Sequence, residues 1–212
     1  MKPYYSNVRN EMLRFIPHDA SRILEIGCAE GNFGASIKAR NNAEVWGIEL
    51  DPATGQIASK KLDNVLIGSA PSTLDALPDS HFDCVVCNDV LEHIANPESV
   101  LDALRRVMLP NAVIVGSIPN VRYFPVLLDL VWNADWRYVD SGVLDRTHLR
   151  FFTGKSLKRF LEDVGYTPLT IEGINPTPSI KARLLRLATL GKFHDCQFLQ
   201  YAFVASPHPV NP

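Results

Sequence analysis

The sequence lacks any apolar run close to the roughly 18 residues that a helix needs to span a bilayer. Its first residues, 1–6, do not contain the apolar segment of a secretory signal peptide. With 4 cysteines in 212 residues, the chain has too few for a disulfide scaffold. Together these absences predict a cytoplasmic protein without a transmembrane segment.

The chain also has no strong charge of either sign. A formal net charge of −2 leaves no overall basic excess, so we expect no nucleic-acid partner. Hydrophobic residues make up 46% of the chain, which is ordinary for a globular protein and enough for one full core at this length. No internal repeat or low-complexity block divides the sequence. We expect one domain over residues 1–212, with a disordered tail at 207–212.

Two cysteines, Cys84 and Cys87, have the C-x-x-C spacing of some metal and redox sites. They lie within the apolar segment 82–88, which has the character of a buried strand. Residues three apart on a strand point to opposite faces, so the two thiols cannot share a metal. We therefore expect plain core cysteines.

A glycine loop at residues 22–34 is the centre of the sequence. The apolar strand 22–26 leads into Gly27-Cys-Ala-Glu-Gly31-Asn-Phe-Gly34 and then into a helix over 33–40. A strand that feeds a glycine-rich turn and a helix N-terminus is typical of a nucleotide-type cofactor site. The spacing is not the G-x-G-x-x-G that binds a pyrophosphate. This loop, with Glu25 before it, favours a ligand that is not a dinucleotide.

The rest of the chain alternates strands with helices. The expected strands are 22–26, 43–49, 64–67, 82–88, 112–117, 167–172 and an antiparallel last strand at 197–205. The expected helices are 5–16, 33–40, 53–62, 97–107, 155–164 and 180–190, with a turn at Pro110-Asn111. This alternation predicts an α/β fold, a mostly parallel sheet covered by helices on both faces. Ligands in such sheets bind at the carboxyl ends of the strands, where Gly27, Glu49, Ser69, Asn88 and Pro119 would lie.

Three segments lie outside this alternation. Residues 1–20 should supply an N-terminal cap helix beside the glycine loop. Residues 120–153 form an aromatic-rich insertion after the fifth strand, which reads as a substrate cover, a structural subdomain or a homodimer contact. Residues 180–190 form a basic amphipathic helix, which either touches a membrane surface or an anionic substrate, or packs on the domain with a solvated basic face.

Taken together, these motifs resemble the class I S-adenosylmethionine (SAM)-dependent methyltransferases over residues 20–205. The resemblance rests on Leu24-Glu-Ile-Gly-Cys-Ala-Glu-Gly31, Gly47-Ile-Glu-Leu-Asp51, and the segment 82–93 that ends in Asp89-Val-Leu-Glu-His93. Asp145-Arg-Thr-His-Leu-Arg-Phe-Phe-Thr153 points to a subgroup that often occurs in surface-polysaccharide and natural-product pathways. The resemblance to this family implies a Rossmann-like sheet of seven strands and a SAM-dependent enzyme.

The resemblance also implies a set of SAM contacts. Gly27 and Gly31 would lie against the methionine part, Glu25 would hold its amino group, Glu49 would accept both ribose hydroxyls, and Leu50 would cover the adenine. The family usually has Asp at position 69, so Ser69 departs from the pattern and the adenine contact would come from its hydroxyl or the Ala70 backbone. Asn88 and Asp89 would line the methyl-transfer end. The full predicted set is Glu25, Gly27, Cys28, Gly31, Glu49, Leu50, Ser69, Ala70, Asn88 and Asp89.

Methyl transfer to a hydroxyl requires that the acceptor lose its proton, because its pKa in water is far above 7. His93 and His148 are the candidate bases. Alternatively, Asp89, Glu92 and His93 are spaced i, i+3, i+4 and would share a face if the turn is helical. With His148 they would suit Mg²⁺ or Mn²⁺, and Zn²⁺ less well, which resembles the metal site of small-RNA 2′-O- and ubiquinone-pathway methyltransferases. In other relatives these residues only cap a helix or line the pocket. The remaining alternative is a site that positions the acceptor without a base.

The acceptor is expected to be a small-molecule or glycan hydroxyl. Aromatic residues of the insertion, Tyr123 and Trp136, would cover it. Arg146 and Arg150 would bind an anionic group of the substrate, or else form ion pairs with Asp140, Asp145 or Glu162. The alternatives to O-methylation are N-methylation, a non-catalytic binding module with this fold, and a nicotinamide-dependent dehydrogenase, which the loop spacing disfavours.

Overall fold

The structure, a computed structural model, describes residues 9–208. Within these residues the chain forms one seven-stranded sheet flanked by helices. The strands are β1 (Arg22–Ile26), β2 (Glu44–Glu49), β3 (Asn64–Ile67), β4 (Phe82–Asn88), β5 (Met108–Pro119), β6 (Tyr166–Pro176) and β7 (Phe198–Pro207). The helices are α1 (Asn10–Leu13), α2 (Asn32–Asn41), α3 (Pro52–Ala58), α4 (Ala70–Thr73), α5 (Pro97–Val107), α6 (Phe124–Trp132), α7 (Gly154–Asp163) and α8 (Ile180–Ala188).

The strand order is β3-β2-β1-β4-β5-β7-β6. Strand β1 pairs in parallel with both β2 and β4, while β7 runs antiparallel between β5 and β6. This confirms the predicted Rossmann-like sheet and its antiparallel last strand. The order reverses between β1 and β4, so the crevice at their carboxyl ends is where a ligand is expected.

Two hydrophobic cores lie on opposite faces of the sheet. Leu24 belongs to the core that includes Leu101 of α5 and Leu157 of α7, whereas its neighbour Ile23 belongs to the core that includes Ile37 of α2. This alternation is what a strand buried on both faces requires. Cys84 and Cys87 fall in different cores and are buried and unpaired, as predicted. Cys28 and Cys196 are buried and unpaired as well.

Local capping explains where α7 begins. The hydroxyl of Thr153 accepts a hydrogen bond from the backbone N–H of Ser156, and the hydroxyl of Ser156 accepts one from the N–H of Thr153. This reciprocal pair satisfies two backbone donors that a helix leaves unpaired. Gly165 follows the helix with a φ of 74°, a backbone conformation that ends a helix and suits glycine.

Several predicted boundaries are wrong. Strand β5 begins at Met108, so the expected turn at Pro110-Asn111 lies instead within an irregularity of the β4–β5 pairing, between the Phe82–Met108 and Cys84–Val113 pairs. Helix α3 ends at Ala58 rather than at residue 62, and α8 ends at Ala188. Of the helix predicted over 5–16, the described residues contain only α1, and residues 1–8 lie outside the described residues. Of the tail predicted over 207–212, residues 209–212 lie outside the described residues. Residues 207 and 208 do not form a free tail, because β7 reaches Pro207 and the N–H of His208 donates to the carbonyl of Gly165.

The insertion at 120–153 follows β5 and contributes α6 and an irregular segment. Val126, Val143 and Leu144 form a small apolar cluster of its own. The backbone N–H groups of Leu149 and Arg150 donate to the carbonyl of Glu92, which ties the end of the insertion to the segment after β4. Among residues 9–208, every helix is too short or too polar to cross a membrane.

Candidate functional site

The glycine loop after β1 packs closely against the segment that follows β4. Gly27 has a φ of 69°, and a Cβ at this position would lie 2.8 Å from Cγ2 of Val90. Its N–H donates to the carbonyl of Ile48, which links the loop to β2. Gly31 precedes α2 directly. The loop backbone therefore approaches the segment after β4 more closely than any side chain at residue 27 would allow.

The buried carboxylate of Glu25 lies beneath this loop. One hydrogen bond comes from the backbone N–H of Gly34, and a Cβ on Gly34 would lie only 2.7 Å from Oε2 of Glu25. Within residues 9–208, Oε2 has no hydrogen-bond partner. Burial, and to a smaller extent the nearby charge of Glu49, raises the pKa of Glu25 to about 8. The absence of a side chain on Gly34 thus makes room for Glu25. Its unpaired Oε2 can accept a hydrogen bond from a bound cation.

The carboxylate of Glu49, at the end of β2, is held by two backbone donors. Its Oε2 accepts from the N–H of Ala29 at 2.8 Å, and its Oε1 accepts from the N–H of Asp51 at 3.0 Å. Each oxygen keeps a second lone pair, so the bonds orient the carboxylate without exhausting it. Leu50 beside it is 70% exposed. The position suits a diol ligand with an exposed apolar cover.

Cys28 and Ser69 already make contacts within the protein that the sequence does not suggest. The Sγ of Cys28 is buried so close to Gly47 that a Cβ there would lie 2.5 Å away, and its backbone N–H donates to Ile48. The hydroxyl of Ser69 is 2.8 Å from that of Ser72, and Ala70 is buried just after it. Contacts of Cys28, Ser69 and Ala70 with a cofactor stay predictions.

Asn88 ends β4 at the reversal point of the sheet. Both its Oδ1 and its Nδ2 are buried, and neither has a hydrogen-bond partner in the described part of the chain. A buried amide normally has its donors and acceptors satisfied. Together with Oε2 of Glu25, these unpaired atoms mark the β1–β4 crevice as a place for a polar ligand.

Asp89 does not share a helical turn with Glu92 and His93, which corrects the prediction of a shared helical face. Its φ of 52° is left-handed, and the following 3₁₀ turn begins only at Leu91. Its carboxylate instead pairs with Arg9 and accepts hydrogen bonds from Ser117 at 2.8 Å and Gln200 at 2.8 Å. With its oxygens engaged in this way, Asp89 does not join the metal-type cluster formed by the other three predicted ligands.

Glu92, His93 and His148 do come together. One ligand atom from each lies within 4.8 Å of the others, a spacing that fits a metal ion. Glu92 is fully buried, and burial followed by the charge of Asp89 raises its pKa well above the ordinary value. Neither of its carboxylate oxygens has a hydrogen-bond partner among residues 9–208. A cation or a proton must therefore satisfy this carboxylate.

The tautomers of both histidines follow from their neighbours. Nδ1 of His148 lies 3.0 Å from the carbonyl of Val143. Nδ1 of His93 lies 3.3 Å from the carbonyl of Thr147 and 3.1 Å from its hydroxyl, whose proton is donated to Asp145. A carbonyl only accepts, so each Nδ1 carries the proton and each Nε2 offers a lone pair. Burial, and then the second histidine, lowers the pKa of His93. The rings pack edge to face at 4.7 Å, and their basic nitrogens can accept a proton or bind a metal ion.

The two predicted anion-binding arginines are both paired with carboxylates. Arg146 Nε lies 2.7 Å from Asp140, one of the predicted partners, in an exposed ion pair. Arg150 pairs with Glu98 at 3.1 Å, which the sequence did not suggest, and also donates to the carbonyl of Ala95. The structural interpretation of these residues is therefore favoured over substrate binding.

The aromatic residues of the insertion lie on the side of the histidine pair. Trp136 packs edge to face on Phe151 at 5.3 Å, and Phe151 in turn lies 6.4 Å from His148. Tyr123 packs in the same small cluster at the start of α6. These contacts give the insertion an apolar wall beside His148, and Phe151 belongs to that wall although the sequence analysis did not single it out.

Other residues that the sequence analysis missed act through hydrogen bonds over long sequence separations. Arg9, Ser117 and Gln200 all bind the carboxylate of Asp89. Ser117 could have been found from its place near the predicted end of β5. Arg9 and Gln200 carry no local signal, because only the folded sheet brings them to the end of β4.

Comparison with known proteins gives both a family and close folds. Residues 3–171 match the methyltransferase domain family. Ubiquinone biosynthesis O-methyltransferase of Psychrobacter arcticus is 29% identical over 172 residues, which cover 76% of this chain and 64% of that protein. The corresponding protein of Azoarcus sp. is 26% identical over 171 residues, which cover 77% and 72%. The chain thus spans less than two thirds of the first of these relatives.

Solved structures agree on the fold. A SAM-dependent methyltransferase from Archaeoglobus fulgidus superposes with a TM-score of 0.71 at 22% identity, covering 92% of this chain and 91% of that one. The 1,6-didemethyltoxoflavin-N1-methyltransferase of Burkholderia thailandensis, solved with S-adenosylhomocysteine, gives a TM-score of 0.65 at 12% identity, with 98% and 82% covered. At these identities the likeness shows the fold alone.

Proposed function

Because this chain belongs to the SAM-dependent methyltransferase domain family, we propose that it transfers a methyl group from SAM to a hydroxyl of a small molecule. The observation that carries the choice of a hydroxyl is the cluster that Glu92 and His93, just after β4, form with His148 of the insertion. An alcohol or phenol must be deprotonated to react, and this cluster offers two imidazole nitrogens for that purpose. The names of the relatives, ubiquinone biosynthesis O-methyltransferases, support the same chemistry.

The β1–β4 crevice is the proposed cofactor site. Oε2 of Glu25 would accept from the amino group of SAM, and Glu49 would accept from its ribose hydroxyls. Gly27 and Gly31 would lie along the methionine part, with Leu50, Ser69 and Ala70 around the adenine and Asn88 at the methyl-transfer end. SAM supplies a methyl group on a positively charged sulfur, which needs no activation by the protein. The unpaired atoms of Glu25 and Asn88 support this fit.

Deprotonation of the acceptor is assigned to His148 or His93. In each ring Nδ1 donates to a backbone carbonyl, so Nε2 is the proton acceptor. The carbonyl of Val143 also fixes the orientation of the His148 ring. Burial lowers the pKa of His93, which favours the neutral form of that ring. The wall of Trp136, Phe151 and Tyr123 would hold the acceptor against the cluster and exclude water.

A divalent ion, Mg²⁺ or Mn²⁺, fits the same cluster. Glu92 would contribute a carboxylate oxygen, and His93 and His148 would contribute Nε2. Such an ion, when bound, would lower the pKa of an acceptor hydroxyl. The mixed oxygen and nitrogen donors suit Mn²⁺ and tolerate Mg²⁺. Without an ion Glu92 is expected to be protonated, and the two histidines are then available as simple bases.

The experiment that tests this function measures S-adenosylhomocysteine formation with matched acceptors. A catechol, a sugar and an amine are each supplied with SAM, with Mn²⁺ or with a chelator, beside versions of the first two whose hydroxyls are already methylated. The proposal expects turnover with a free hydroxyl and loss of turnover when that hydroxyl is methylated. Turnover with the amine alone would overturn it in favour of N-methylation. SAM binding without turnover of any acceptor would favour a binding module.

A further inference from the structure

One surface of the molecule presents an apolar stripe to solvent. Along α8 and the turn that follows it, Ile180, Leu184, Leu187 and Leu190 are between 58% and 93% exposed. The opposite side of the helix packs on the protein through the buried Ala182 and the half-buried Leu185. We name residues 180–192 the α8 surface. Its apolar side faces away from the domain, which is the reverse of an ordinary amphipathic helix on a globular protein.

Basic residues border this stripe. Lys181, Arg183, Arg186 and Lys192 are exposed, and residues 173–194 contain no Asp or Glu. At 100° per residue, Lys181 lies on one side of the Ile180–Leu184–Leu187 line and Arg183 on the other. Among residues 9–208, none of the four basic residues forms an ion pair. The surface therefore carries four uncompensated positive charges beside four exposed apolar side chains.

The α8 surface is attached firmly to the site end of the sheet. Asn120, directly after β5, donates to the carbonyls of Asp195 and Phe198, both at 2.9 Å. Arg122 pairs with Asp195 at 2.7 Å, and its guanidinium lies 4.9 Å from the ring of Phe193. The segment that follows α8 is thus bound to the first residues of the insertion, so docking of α8 would also fix the position of the insertion.

We propose that the α8 surface docks on an anionic lipid surface. An apolar stripe between lysines and arginines is the arrangement of helices that lie in the plane of a membrane interface. Anionic headgroups supply the charge that the four basic residues lack. A second copy of this chain is a poor occupant, because it would bring its own four positive charges against the first four.

This inference rests on the proposed function for its biological use. A protein held at the bilayer by α8 would take its acceptor hydroxyl from a lipid-soluble molecule, which fits the apolar wall of Trp136 and Phe151 beside His148. Lipid docking itself requires neither SAM nor turnover, so the two proposals fail separately.

The test is co-sedimentation of the full chain with vesicles of phosphatidylcholine, with or without one third phosphatidylglycerol. We expect binding to the anionic vesicles only, weakened by high salt. Substitution of Lys181, Arg183 and Arg186 by Gln should weaken binding about a hundredfold, since each charge is worth roughly fivefold at such a surface. Leu187→Ser should also weaken it, because an apolar anchor is lost.

Matched variants elsewhere on the chain serve as controls. The first control replaces Lys155, Lys158 and Arg159 by Gln, which removes the same charge from α7. The second control is Leu169→Ser, which alters a leucine that is 57% exposed. Both should bind as the wild type does. Equal weakening by the two charge variants would overturn the proposal, because binding would then follow net charge. No sedimentation of wild type with anionic vesicles, or a dimer dissociated by Leu187→Ser, would overturn it as well.

Discussion

The carboxylate of Asp89 is paired with the guanidinium of Arg9, a residue that lies 80 positions earlier in the chain. Arg9 stands just before α1, and its second terminal nitrogen donates to the hydroxyl of Ser117 at 3.1 Å. Both side chains are largely buried, with 16% and 8% of their surfaces exposed. The pair therefore fixes the start of the described chain to the ends of β4 and β5, at the edge of the proposed cofactor site.

Arg9→Met should destabilise the protein by about 3–5 kcal/mol, because it leaves the carboxylate of Asp89 buried without its cation. Urea denaturation gives the free energy of unfolding. The double variant Arg9→Met with Asp89→Asn should recover part of the loss, since the uncompensated charge is then gone.

Arg14→Met is the control for this change. Arg14 pairs with Glu172, but both side chains are about half exposed, so the loss should stay below about 1 kcal/mol. Equal losses in the two single variants would contradict the assignment of Arg9 as a buried anchor.

The ligand-free protein should lose stability as the pH rises, because of Glu25. Burial raises the folded-state pKa from 4.5 to about 8, so the folded state holds the proton more tightly than the unfolded state does. The contribution is complete below about pH 4.5 and is lost as the pH rises to about 8, by at most about 5 kcal/mol. The Glu25→Gln substitution removes this pH-dependent contribution to the free energy of unfolding.

Urea denaturation of both proteins from pH 5 to pH 8.5 measures the effect. The difference in unfolding free energy between Glu25→Gln and wild type should move in favour of the variant as the pH rises. A difference that does not change with pH would show that Glu25 is already ionised in the free protein.

The sheet was predictable from the sequence because its signals are local. Short apolar segments such as 64–67 and 82–88 are bounded by turn residues, and their observed limits are the predicted ones. The Pro110-Asn111 pair was wrongly predicted to be a turn because it lies where the β4–β5 pairing is irregular, and an irregular pairing tolerates a proline that a regular one would not.

The candidate site was predictable only in part. Glu92, His93 and His148 meet as expected, because two of them share one turn and the insertion returns to the carbonyl of Glu92. Asp89 was misplaced because its left-handed backbone and its distant partner Arg9 leave no mark on local spacing. For α8 the spacing of the apolar residues predicted the helix, but not which of its sides would face solvent.

Gly27→Ala should weaken SAM binding and destabilise the fold by about 1–2 kcal/mol, since the left-handed φ of 69° is costly for alanine. The added Cβ would also meet Val90 at 2.8 Å. Adding Val90→Ala should remove the contact but leave the backbone cost. Calorimetric titration of SAM into both variants separates these effects. If the double variant binds SAM no better than Gly27→Ala does, contact with Val90 is not what closes the site.

His148→Ala should lower kcat by about 10²–10⁴-fold, which is the usual contribution of a positioned base, while leaving the Kd for SAM within about twofold of wild type. The reason is that His148 lies in the insertion, whereas the proposed cofactor contacts lie along β1 and β2. His93→Ala, measured in parallel, distinguishes the two bases.

If a metal is used, both variants should also lose Mn²⁺ binding in a calorimetric titration, and Asp89→Asn should retain it. His18→Ala, which removes an exposed histidine, controls for the substitution itself. Normal turnover by a folded His148→Ala protein would remove His148 from the mechanism and leave His93 as the base.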